Sequence, residues 1–129
     1  MTKDKSLQDI YGALDREQDL DSTLINRCQN LWLKALKDYN FADLRIMIGQ
    51  GLGLSELIPM ALTALEDNPC IDAELYKGDL LQVVFSVGND FWKNHDDLNT
   101  RVVELKFEVE SLIETLQTEI LPLTEKIAF

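Results

Sequence analysis

From Leu98 the chain places apolar side chains at Leu98, Val102, Leu105, Val109, Leu112 and Leu116, a 4-3-4-3-4 spacing. On an α-helix this spacing draws one stripe. On a strand it would scatter the same side chains over both faces, so the segment is amphipathic only as a helix. Glu104, Glu108, Glu110, Glu114 and Glu119 fall on the other faces, where water solvates them. Pro122, which has no N–H to donate, is expected to end the helix. A seam this short packs more readily on its own domain than on a second chain, so the expectation is a monomer. Self-association through 98–116, in an acidic helical interaction module, is the alternative reading.

The rest of the chain is also written in helical periods. Ser6 is placed to cap a short helix through Leu7, Ile10, Tyr11 and Leu14, with Asp9 completing a capping box. The polar run Asp15 to Asp21 is a connection. A second helix begins near Ser22 and turns Leu24, Ile25, Cys28, Leu31 and Trp32 inward. Asn40 caps a third, with Asp43 at its third position, and that helix stops in Gly49-Gln50-Gly51-Leu52-Gly53. Ser55 is expected to cap the fourth, with Leu57, Ala61, Leu62 and Leu65 inward, and Asn68-Pro69 ends it. Asp79 is expected to cap a fifth through Leu80, Leu81, Val83, Val84 and Phe85, although its β-branched residues make this the one place suited to a strand. Asn89 or Asp90 starts a short turn carrying Phe91 and Trp92. The sum is an all-α fold: one domain over 1–129, a bundle of six or seven helices with a long C-terminal helix.

Charge narrows the possible partners. Twenty-three acids oppose twelve bases for a net −11, and fifteen of those acids, against five bases, lie in residues 51–129. Nucleic-acid affinity comes from Lys and Arg neutralising phosphates, so this surface opposes DNA and RNA, and an anionic membrane as well. A basic protein is the partner it suits, with attraction at a distance speeding encounter. No run reaches the ~18 apolar residues of a membrane span, and nothing at the N-terminus reads as a signal peptide. Cys28 and Cys70 stand 42 positions apart without a CxxC, which fits a reducing, cytoplasmic setting.

No catalytic set or cofactor site emerges. His95 is the single histidine, which excludes His-rich zinc sites and HExxH pairs. Flanked by Asn94 and Asp96, it reads as a surface or capping residue. The glycines at 49, 51 and 53 lack the Gly-Lys-Ser/Thr of a phosphate loop and read as a helix–helix turn. The expectation is a protein that binds rather than catalyses, with no metal and no cofactor.

Over residues 30–95 the motifs form a recognisable series: Asn30-Leu31-Trp32, Asp43-Leu44-Arg45 leading to Ile48-Gly49-Gln50-Gly51-Leu52-Gly53, Leu57-Ile58-Pro59, Ala61-Leu62, Asn68-Pro69, Tyr76-x-Gly78-Asp79-Leu80-Leu81 and Phe91-Trp92. This series resembles the bacterial immunity proteins of contact-dependent growth inhibition (CDI) systems, the CdiI group. The resemblance implies a cytoplasmic, non-enzymatic inhibitor of the toxic C-terminal domain of a CdiA-type effector, often a nuclease; the acidity fits a ribonuclease or a deoxyribonuclease, and a ribonuclease is the favoured expectation. The motif residues themselves read as scaffold, with Arg45 and Asp79 a candidate buried pair. Interface candidates are acids near aromatics, the usual makings of a hot spot. Two clusters qualify: Glu66, Asp67, Asp72, Glu74 and Tyr76; and Asp90, Trp92, Asp96 and Asp97.

Overall fold

A computed structural model describes residues 2–14 and 22–128, so the expected connection at Asp15 to Asp21 lies outside the described residues. Seven α-helices follow in order among the described residues: α1 Leu7–Tyr11, α2 Ser22–Leu33, α3 Phe41–Gly49, α4 Leu54–Asp67, α5 Asp79–Phe85, α6 Asn89–Lys93 and α7 Asp96–Thr115. No strand occurs among the described residues. None of their helices is long and apolar enough to cross a membrane.

Two of the expected caps form in full. The Ser6 side chain accepts from the Asp9 amide while Asp9 accepts from the Ser6 amide, and Asn40 and Asp43 repeat the exchange at α3. Each box satisfies two N–H groups that a helix start leaves without partners. The chain ahead of α1 is pinned by a bridge between Ser6 and Ala35, with the Leu36 amide on Lys5 O.

At the centre stands α4. Its Leu57, Ile58, Ala61, Leu62 and Leu65 are fully buried, joined by Leu7, Met47, Leu80 and Val84 from α1, α3 and α5. Fully burying a large aliphatic side chain is worth roughly 1.5–3 kcal/mol, so these positions dominate the gain on folding. The cap of α4 is Gly53, with φ +64°, and not Ser55. A Cβ at Gly53 would lie 2.7 Å from Leu7 Cδ1. The buried Leu7 therefore leaves no room for a side chain at the cap position, and Ser55, inside the helix, reaches His95 Nε2 instead at 3.2 Å.

The segment at 79–85 is helical despite its valines, and Gly78, at φ +96°, occupies the cap position. Val84 is buried against the core, so tertiary burial decides the conformation over intrinsic preference. Gly88 takes the cap position of α6, which begins at Asn89.

The long seam divides. Leu105 is buried and Leu98, Val102 and Val109 pack against the core, but Leu112 and Leu116 are each 39% exposed. From Lys106 to Ala128 every side chain except Val109 is exposed. Nor does Pro122 stop the winding. The chain widens to a π segment at Leu116–Ile120, then continues as a 3-10 helix over Leu121–Lys126. A proline ring crowds the carbonyl four residues back, and a wider turn just before it relieves that clash. We call residues 106–128 the arm.

Candidate functional site

The acids of the two clusters meet different fates. Glu66, at the end of α4, takes Arg101 of α7 in a two-pronged pair at 2.8 and 3.0 Å, and those hydrogen bonds hold its carboxyl below the usual value. Asp67 beside it is exposed and makes no ion pair among the described residues. Glu74 receives Arg45 Nη2 at 2.8 Å and Arg27 Nη2 at 3.2 Å, bonds that likewise hold its carboxyl low. Asp72 pairs through its backbone with Lys77 and leaves its carboxylate exposed. Asp90, Asp96 and Asp97 are exposed on α6 and the first turn of α7, where Asp96 and Asp97 also complement the positive end of the helix.

The aromatic members separate as sharply. Tyr76 is 51% exposed beside Leu75 at 64%, a projecting apolar pair on the loop between α4 and α5. Trp92 is buried at 9%, its indole N–H donating to Val87 O and its ring edge-on to Phe91.

The two clusters are not one patch. Ser55 and His95 bring the starts of α4 and α7 together, and Glu66 and Arg101 join them further along, so the two helices run side by side in the same direction. The eleven residues from Ser55 to Glu66 span about 16 Å at the helical rise. The Glu66/Asp67 end and the Asp96/Asp97 end therefore lie at opposite ends of α4.

What shapes the first cluster is Asp79, 1% exposed and not a helix cap. Its carboxylate turns back into the loop and accepts the amides of Ala73, Leu75 and Glu74 at 2.7, 2.8 and 3.0 Å. Burial alone would raise its acid, but the amides of Leu75, Ala73 and Glu74 outweigh burial and hold it below the usual range. Arg45 Nε lies 3.8 Å from Oδ2, close enough for charge attraction but not for a hydrogen bond. The expected Arg45–Asp79 pair is thus present as an ion pair without a hydrogen bond. Arg45's directed bond goes to Glu74, so α3, the loop and the start of α5 are tied at a single point.

Sequence spacing did not reveal this clasp, since a carboxylate at a helix start is ordinarily read as a cap for the helix that follows. The one available signal was the distance of four to six residues from Asp79 back to the loop, too generic to single out. No group of three or more metal-capable side chains occurs among the described residues. His95 is held locally, with Nδ1 against Phe91 O at 2.8 Å and its ring stacked on Phe91.

Compared with known proteins, residues 9–102 match the family described as CDI immunity proteins. No curated protein and no solved structure matches the chain.

Proposed function

Because the chain belongs to the CDI immunity proteins, we propose that it neutralises the toxic C-terminal domain of a cognate growth-inhibition effector from within the cytoplasm, as a binding inhibitor rather than an enzyme. The toxin class that fits is a nuclease, a ribonuclease first. A nuclease must offer a basic cleft to phosphates, and an acidic protein covers that cleft while its own charge turns nucleic acid away.

The surface we place first on the toxin is the loop between α4 and α5. The observation that carries this choice is the Asp79 clasp, which fixes the loop backbone before any partner arrives. Leu75 and Tyr76 project from that fixed backbone, with the exposed acids Asp72 on the same loop and Asp67 at the end of α4 that leads into it. Exposed apolar anchors on a preorganised backbone lose little entropy on binding, and flanking acids steer a basic partner in. The cluster of Asp90, Asp96 and Asp97 is a second steering surface, with Trp92 supporting it from beneath.

Association kinetics with the purified toxin domain test the reading. The on-rate is expected to fall steeply as salt rises. Asp67→Lys with Asp72→Lys is expected to slow association tenfold or more at low salt while thermal unfolding hardly moves. Glu74 is left intact in that variant because its removal would also release Arg27 and Arg45. On-rates unchanged both in that variant and in Asp96→Lys with Asp97→Lys would overturn the placement. Absence of any complex with the toxin domain would overturn the function.

A further inference from the structure

Past Arg101 the last long helix outruns its neighbour. Glu66 and Arg101 meet near the end of α4, so α7 continues beyond α4 at the end from which the α4–α5 loop springs. There the two parts touch. Leu65, Glu66 and Pro69 line one side of a cleft of about 140 Å³, and Arg101, Glu104 and Glu108 line the other. Glu104 and Glu108 also border a shallow groove that runs on along the arm beside Phe107, Ser111, Leu112 and Thr115. One surface therefore leads from the foot of the loop onto the arm.

That surface is apolar in its middle and acidic at its edges. Leu112, Ile113 and Leu116 are 39, 48 and 39% exposed. At helical spacing Glu104 and Glu108 stand on one edge of this stripe and Glu110 on the other. From Glu104 to Lys126 six acids face two bases, and none of the six makes an ion pair among the described residues. In the body, by contrast, Asp43, Glu66 and Glu74 are each matched by Lys or Arg. An uncovered apolar stripe edged with unmatched carboxylates fits a partner that brings apolar side chains and cations together. A second copy brings the same carboxylates, and nucleic acid or anionic lipid brings more negative charge.

We propose that the arm is a second wall of the toxin seat, along which a basic, amphipathic segment of the toxin domain lies. Its apolar residues cover Leu112, Ile113 and Leu116, and its Lys or Arg side chains meet Glu104, Glu108 and Glu110. The proposal rests on the toxin-neutralising reading above and deepens it. The loop that carries Leu75 and Tyr76 starts at Pro69, beside the same cleft, so one ligand reaches both. The winding of α7 passes without a break into the arm, which presents its stripe already formed and limits the ordering lost on binding. The family match ends at residue 102, so this contact lies outside the matched body.

Binding kinetics of the full chain with the purified toxin domain test it. Glu104→Lys with Glu108→Lys is expected to slow association about tenfold at low salt. Leu112→Ser with Leu116→Ser is expected to speed dissociation about tenfold. All four side chains are exposed, so the helical spectrum and thermal unfolding are expected to stay as in the wild type. Amide exchange over residues 106–120 is expected to slow about tenfold in the wild-type complex. A complex whose rates stay within about twofold of wild type in both variants, with no added protection of the arm, overturns the arm's role and leaves the inhibitor reading standing. No complex with the wild-type chain overturns both. A dimer in light scattering that the double-serine variant breaks assigns the stripe to a second copy and overturns the proposal.

Discussion

The two halves of α7 carry one spacing and reach opposite outcomes. Up to Leu105 the stripe lies on α4 and α6; from Leu112 onward the same spacing faces outward. Periodicity therefore specifies which face of a helix is apolar but not what covers it. That is decided by how far the body extends, and here the body ends first. The family match ends at residue 102, close to the same point.

The contrast is sharpest in the cost of truncation. Leu62→Ala, at a fully buried position, is expected to cost about 2–5 kcal/mol, measured by urea unfolding. Leu116→Ala is expected to fall within about 0.5 kcal/mol of wild type. Equal losses at the two sites would mean that the arm folds as part of the body.

The Asp79 clasp comes next. Asp79→Ala strands three loop amides and removes a buried charge, and about 3 kcal/mol is expected to go. Because the folded carboxyl sits below its unfolded value, its contribution is present above about pH 3.9. It is lost as pH falls further, through the folded value. The unfolding free energy of Asp79→Ala is accordingly expected to depend less on pH in the acid range, which a urea series at stepped pH checks. A parallel pH profile in both proteins would deny the clasp its charge.

Gly53→Ala tests how the N-terminal helix is keyed to the body. A left-handed backbone and the approach to Leu7 together predict a loss of about 2 kcal/mol, seen as a lower unfolding temperature. Glu66→Gln is expected to cost less than either. That ion pair is exposed, so no more than about 1 kcal/mol is expected, shrinking further in salt.

Much of the fold was legible in the sequence because its signals are local. Ser6 with Asp9 and Asn40 with Asp43 act within one helical turn, and the inward positions of α4 follow directly from the period. Ser55 misled because the cap of α4 is a left-handed glycine, Gly53, whose bare Cα lies against Leu7, 46 positions earlier. Asp79 misled because its acceptors serve the loop behind it rather than the helix ahead. Trp92 is aromatic and flanked by acids, yet only packing decides that its ring turns inward. The candidate acids could be named, but which of them are already bound to Arg27, Arg45 and Arg101 is long-range geometry.

The clasp also separates what the loop displays from what holds it. Ala73, Leu75 and Glu74 contribute main-chain N–H groups to Asp79, and every amino acid except proline carries that group. The exposed side chains at Leu75 and Tyr76 can therefore be rewritten without renegotiating the loop's shape. A lineage that must keep pace with a changing adversary, or an engineer grafting a new recognition surface, inherits a display whose lettering can change while its frame stays fixed.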